Sequence, residues 1–184
     1  IHAAATKFVD ISEKQPMETI DVNVVGSQNI ARVAIDKDVK LVVGISTDKA
    51  SPPVRNTYGM TKALMERMFC AMDGKSLTRF MCVRYGNVIG SNKSMFHTWE
   101  KQAINGEEIT VTDSEMTRFY CSIDEAANFV IDKITDQDQE DRGCIYIPKM
   151  KSYLLMDIAS SYSSKIQITG LRGPEKKHEV LVSK

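Results

Sequence analysis

Apolar positions fall near helical spacing in METIDVNVVGSQNIARVAIDKD, where Ile20, Val24, Ile30, Val33 and Ala34 recur and Pro16 stands where a first turn tolerates it. The spacing predicts one helix over about 16–37. The following VKLVVGIST is almost continuously apolar and rich in β-branched residues, as a parallel strand buried on both faces should be. A polar loop, TDKASPPVRN, comes next. A second helix is predicted in TYGMTKALMERMFCAMDG, closed by Gly74, and a second buried strand in LTRFMCVRYGNVIG, which runs into a loop marked by glycine. This alternation predicts βαβ units and a parallel sheet. Beyond Gly90 the pattern loosens. MFHTWEKQAING reads as helix, EEITVTD as an extended segment, and SIDEAANFVIDKITD as a helix opened by a Ser122/Glu125 capping box. GCIYIPK reads as a strand and LLMDIASSYSS as a short helix. The looser second half is expected to form a smaller lobe.

Charge adds a restriction. The 24 basic and 24 acidic side chains cancel, so no net field draws the chain to nucleic acid or to an anionic membrane. No apolar run approaches the ~18 residues of a membrane span, and the first residues lack the basic and apolar regions of a signal peptide. Cys70, Cys82, Cys121 and Cys144 form no C-x-x-C pair and have no histidine at ligand spacing, which predicts reduced structural thiols in a cytoplasmic protein and no metal site. The abrupt start at IHAAATKFVD and the end at EKKHEVLVSK read as cuts within a longer chain.

Candidate chemistry concentrates in STDKASPPVRNTYGMTK, residues 46–62. Loops beyond the carboxyl ends of parallel strands are where open α/β folds bind ligands. Tyr58 and Lys62 are four apart at the start of a predicted helix, so both side chains project from one face about a turn apart. An ammonium beside a phenol favours the phenolate and is expected to lower its pKa from ~10 toward a useful range for a base. By spacing alone, Tyr and Lys at i and i+4 more often mark a solvated helix face, and Asp48–Lys49 more often a surface salt bridge of small value.

The ordered series HAAATK, NVVGSQN, STDKA, YGMTK, RYGNVIGS, ITVTDSEMTRF, GCIYIPKMKS and GLRGPEKKHE resembles the extended short-chain dehydrogenase/reductase superfamily. More narrowly it is similar to the C5-inverting UDP-N-acetylglucosamine 4,6-dehydratases of polysaccharide, capsule and flagellin-glycan biosynthesis. The resemblance covers nearly the whole chain. It implies an α/β fold, the C-terminal part of a Rossmann-like doubly wound parallel sheet. Residues 1–90 would be the later half of the NAD(P)-binding domain. Residues 91–184 would be mainly the substrate-binding lobe, with a late strand returning to the sheet.

The resemblance also implies a site. NADP or NAD would oxidise C4 of the hexose, with Thr47 bonded to the C4 oxygen, Tyr58 as base, and Lys62 holding the nicotinamide ribose and tuning Tyr58. Lys49 would then remove the C5 hydrogen and Asp48 would protonate the departing C6 hydroxyl, which needs a depressed lysine pKa and a raised carboxyl pKa. The hydride would return at C6. His2, Ala3, Ala4 and Ala5 match the strand end lining the dinucleotide, and Asn23 matches a helix residue near the proton relay. Tyr85, Asn87 and Val88 match the loop that meets nicotinamide and substrate. Thr110, Thr112, Arg118, Arg172 and Glu175 match the groups holding the UDP moiety, where an arginine fork suits phosphate oxygens and a carboxylate suits ribose hydroxyls. Without the family match these would read as solvated surface residues, and the Gly86-Asn87 pair as a turn.

Three departures stand out. SPPVRNTYG carries one residue more than the family's wording between Asp48 and Tyr58, Lys93 replaces a usual glycine, and RGPEK inverts a usual Pro-Gly order. The glycine-rich phosphate-cradling turn does not occur in these 184 residues, nor do the residues that read the 2′ position, so NADP and NAD stay open. A 4-epimerase or reductase of the same superfamily, or a non-catalytic nucleotide-sugar binding module, is the alternative. Related enzymes pair through the helices placed at 16–37 and 56–74, so a homo-oligomer is expected.

Overall fold

Along the chain run α1 (Val9–Lys14), α2 (Pro16–Ile20), a π turn (Asp21–Val25), α3 (Gly26–Asp36), β1 (Leu41–Thr47), a 3-10 turn (Asp48–Ala50), α4 (Thr57–Met72), β2 (Arg79–Tyr85) and β3 (Asn87–Val88). Then follow α5 (Met95–Ile104), β4 (Ile109–Val111), β5 (Thr117–Cys121), α6 (Ile123–Thr135), β6 (Ile145–Tyr146), β7 (Lys151–Leu154), α7 (Leu155–Ser160) and β8 (Ile166–Ile168). This computed structural model describes residues 1–92, 94–136 and 144–182; Lys93 and Gly143 lie outside them. Two units emerge, one of Ile1–Tyr85, Phe129–Pro148 and Val180–Lys184, the other of Gly86–Asn128 and Lys149–Glu179.

The first unit is built on a parallel sheet in the order β1-β2-β6, with Leu41 opposite Arg79 and Thr47 opposite Tyr85. His2 extends it on the other side of β1, its N–H donating to Val43 O at 2.8 Å and its carbonyl accepting from Ile45 N at 3.0 Å. Both faces are covered, as the unbroken apolar strands require. On one face Val42, Phe80 and Cys82 pack against Ala31 and Ala34 of α3 and Met65 and Phe69 of α4. On the other, Val43, Met81 and Val83 pack with Val130 and Phe129 of α6. Gly44 is required here, since a Cβ would stand 2.9 Å from the Phe69 ring. The α/β parallel architecture is the one expected from the sequence.

The second unit holds a mixed sheet, β3-β5-β7, with β5 parallel to β3 and antiparallel to β7, and a parallel pair β4–β8. Its core joins Trp99, Ile109, Val111, Met116, Tyr120, Leu155 and Ala159. The Ser122/Glu125 capping box forms as predicted: Ser122 N donates to Glu125 Oε2 at 2.7 Å and Glu125 N to Ser122 Oγ at 3.1 Å.

Two differences have physical causes. The predicted single helix is continuous over 16–36 but carries a π turn at its centre, a local widening that apolar periodicity does not encode. The short elements α1, β5, β7 and β8 have no distinct pattern. Strands of three to five residues containing Arg118, Lys151 or Gln167 are set by their cross-strand partners rather than by propensity.

Candidate active site

The carboxyl end of β1 turns directly into the 3-10 turn because Thr47 caps it: Lys49 N donates to Thr47 Oγ1 at 3.4 Å. The Thr47 hydroxyl donates to Asp48 Oδ1 at 3.0 Å, and Lys49 Nζ reaches the same oxygen at 3.1 Å. Asp48 is wholly buried, and its second oxygen, Oδ2, has no hydrogen-bond partner among the described residues. One carboxylate oxygen is thus used twice and the other waits for a donor. An unpaired buried acceptor costs roughly 1–3 kcal/mol, so the fold tolerates a penalty here.

The next helix is brought onto this turn by two residues of plain mechanical purpose. Asn56 caps α4, its Oδ1 accepting from Gly59 N at 2.7 Å. Gly59 rides on the carbonyl of Lys49, where a Cβ would stand at 2.3 Å. Tyr58 therefore meets Thr47, whose hydroxyl hydrogen-bonds the phenol. The Tyr58–Thr47 contact is made across the loop 51–55 that the sequence analysis singled out.

The electrostatics correct one expectation. Tyr58 is not acidified: burial of its hydroxyl pushes the pKa up to about 12, the Thr47 bond opposes this, and the Asp48 charge adds to it. Lys62 shows the reverse, pushed down to about 8 by burial, with Cys82 and Glu66 opposing. The cause is geometric. Lys62 Nζ is turned to Met65 Sδ at 3.3 Å, and desolvation outweighs any attraction between ammonium and phenolate.

His2 is buried against β1 and bonded through Nε2 to Ser27 Oγ at 2.8 Å, while Ala3 and Ala4 beside it are exposed. Asn23 occupies the π turn, 1% exposed; its Oδ1 accepts from Thr6 N at 2.8 Å and its Nδ2 donates to Thr6 O and to Thr61 Oγ1, each at 3.0 Å. Tyr85 ends β2, half-buried. The first unit thus gathers Thr47, Asp48, Lys49, Tyr58, Lys62 and His2 around the end of β1 and the start of α4. Residues the sequence did not single out complete it. Ser27 and Thr61 extend the polar chain on either side of Asn23. Glu66 holds Arg84 through two bonds of 2.9 and 2.7 Å, both residues buried. The one available signal was that Glu66 stands on the same helix face as Lys62, at i+4.

In the second unit Asn87 and Val88 form β3, half-buried, where Gly86 is pressed so closely on Phe119 that a Cβ would stand 2.6 Å from its Cβ. Thr110 is fixed between Trp99, whose Nε1 donates to its carbonyl at 2.8 Å, and Gln102. Thr112 Oγ1 donates to Met116 Sδ at 3.4 Å. Arg118 is 7% exposed and fastens the segment after Arg172. It donates to Thr117 O and Lys176 O, each at 2.8 Å, and to Lys177 O at 3.0 Å, with Glu175 Oε1 at 3.5 Å. Arg172 N donates to Glu175 Oε2 at 3.4 Å. A cleft of about 450 Å³ lined by Phe96, Tyr120, Tyr153 and Tyr162 opens in the same unit. Tyr153 stands opposite Arg118 in the β5–β7 register.

No helix among the described residues is long and apolar enough to cross a membrane. The chain is 39% identical, over its full length, to the UDP-N-acetylglucosamine 4,6-dehydratase (inverting) of Campylobacter jejuni, and covers 55% of that protein. It is 37% identical over 99% of its length to the UDP-glucose 4-epimerase of Rickettsia canadensis, again covering 55%. The X-ray structure of Pen from Bacillus thuringiensis superposes with a TM-score of 0.90 at 34% identity, over 99% of this chain and 60% of that one. The chain spans about half the length of the curated relatives it matches. The model of one family, described as polysaccharide biosynthesis protein, matches residues 1–184, and with that match across every element described above the chain belongs to this family.

Proposed function

We propose that the protein bearing this chain is an NAD(P)-dependent nucleotide-sugar 4,6-dehydratase acting on UDP-N-acetylglucosamine for surface polysaccharide or glycan synthesis. The observation that carries the reading is the Thr47–Asp48–Lys49–Tyr58 cluster, in which a fully buried carboxylate has one oxygen unpaired and shares the other with a lysine.

The residues fit a nicotinamide cofactor by one feature. Lys62 carries a buried amine whose contact is a thioether, leaving its N–H groups for ribose hydroxyls, next to the His2–Ala4 edge. When bound, the nicotinamide supplies removal of hydride from C4 and its return at C6. This chain's residues do the rest. Tyr58 is a neutral phenol in this fold, and the positive charge of a bound oxidised nicotinamide would favour its phenolate; in that form Tyr58 would take the C4 hydroxyl proton while Thr47 holds that oxygen. Lys49 Nζ and Asp48 Oδ1, 3.1 Å apart, stand side by side for the elimination. Lys49 is assigned to take the C5 hydrogen and Asp48 to give a proton to the C6 hydroxyl, which leaves as water. Arg118, Arg172, Glu175, Thr110 and Thr112 are assigned to the UDP moiety, and Asn87 to the sugar.

A 4-epimerase is the second reading, favoured by the epimerase similarity at nearly equal identity. It needs Thr47, Tyr58 and Lys62 but gives Asp48 and Lys49 no task. Lys49→Ala in the full-length protein separates the two. The dehydratase reading expects turnover to fall by about 10²–10⁴, the range for a lost acid–base group, with UDP-sugar affinity within a few-fold. Full turnover in that variant would remove the dehydratase assignment.

A further inference from the structure

Ser27 lies wholly buried in the first turn of α3, and its single hydroxyl proton goes to Asn23 O at 2.6 Å. The His2 ring nitrogen 2.8 Å away must then be the donor, which fixes the Nε2–H tautomer of the neutral ring. Burial, with the charge of Lys62, holds the His2 pKa below its ordinary value. From the other side of Asn23 its Nδ2 donates to Thr61 Oγ1, and Thr61 Oγ1 donates to Tyr58 O at 2.9 Å. Thr61 stands between Tyr58 and Lys62 in sequence. One buried chain of hydrogen bonds therefore runs from the strand edge at His2, through the π turn, to the turn of α4 that carries the reacting pair.

Apolar packing between two helices would hold them together at lower desolvation cost, so such a chain contributes position more than stability. Its centre is a π turn, a widening that costs helix geometry and that occurs mostly where a helix serves a site. We propose that Ser27 and His2 are positioning residues for the Tyr58–Lys62 pair, acting through Asn23 and Thr61. The claim rests on the reading of that pair as catalytic, but one of its tests does not.

In the full-length protein, Ser27→Ala and the near-isosteric Thr61→Val cut the chain at its two ends. Each is expected to lower kcat by about 10-fold or more with KM for UDP-N-acetylglucosamine within about twofold, and the double variant to lose no more than the worse single one. Ser27→Thr, which keeps the hydroxyl, should recover most of kcat. The reading-independent test follows Lys62 by ¹³Cε NMR titration, with Lys62→Arg assigning the signal. Loosening the turn admits water, so both variants should raise the Lys62 midpoint from about 8 toward its ordinary value. If the wild type turns over no nucleotide sugar, the functional reading falls and the Lys62 shift still decides the positioning claim. An unmoved midpoint overturns that claim. So do additive losses in the double variant, or a kcat that falls only as folded protein is lost.

Discussion

Lys62 carries its ammonium into the interior with a thioether rather than a carboxylate at Nζ. Its folded pKa of about 8 lies below its ordinary 10.5, so the charged form is disfavoured in the fold and the penalty is complete below pH 8. Stability should rise with pH between 8 and 10.5, where the unfolded chain binds the extra proton. Lys62→Met is therefore predicted to stabilise the protein at pH 7 by about 1–3 kcal/mol while abolishing turnover, and its advantage in Tm should vanish by pH 10.5. Tyr58 has the opposite sign: a folded pKa of about 12 against 10 means stability is lost as pH rises from 10 to 12. Tyr58→Phe should remove that alkaline loss and reduce turnover by about 10²–10⁴. At this scale the sequence pointed to the pair through its place in the ordered motif series rather than by its spacing, and concealed its titration, because desolvation depends on what surrounds a side chain and not on its neighbour four residues away. The same holds for Asp48, whose orphaned oxygen no motif could announce.

The elements that place these residues work through contacts that short-range pattern only partly encodes. The parallel strands were legible because burial on both faces forces a continuous apolar run, as in LVVGIST. The start of α4 was legible as well, and its cap explains its rigidity: Asn56→Ala should cost about 1 kcal/mol by denaturant titration. Gly59→Ala should cost more, about 1–3 kcal/mol, since its Cβ meets a backbone carbonyl at 2.3 Å that only a shift of the whole turn relieves. That shift would move Lys49 relative to Tyr58, so turnover should fall further than Tm suggests. What was hidden lies in tertiary pairing. The strand β5 is fixed by β3 and β7, and the role of Arg118 in fastening residues 175–177 depends on a segment almost sixty residues later in the chain.

At the scale of the molecule, the helical run 16–36 and α4 leave Met17, Val33, Met60 and Leu64 exposed by 70%, 56%, 55% and 46%. Apolar side chains exposed on these helices fit a second copy of this chain, and we propose that the protein pairs through them. Val33→Glu with Leu64→Glu should halve the mass seen by light scattering of the full-length protein, with the fold intact by circular dichroism. The account as a whole stands or falls on the reaction. Its most direct test is to incubate the full-length protein with UDP-N-acetylglucosamine and NADP or NAD in D₂O and to analyse the sugar nucleotide by mass spectrometry and NMR. The account predicts a 4-keto-6-deoxy product lighter by one water and carrying solvent deuterium at C5, where Lys49 exchanges the hydrogen. A product of unchanged mass inverted at C4, with no deuterium at C5, would contradict it.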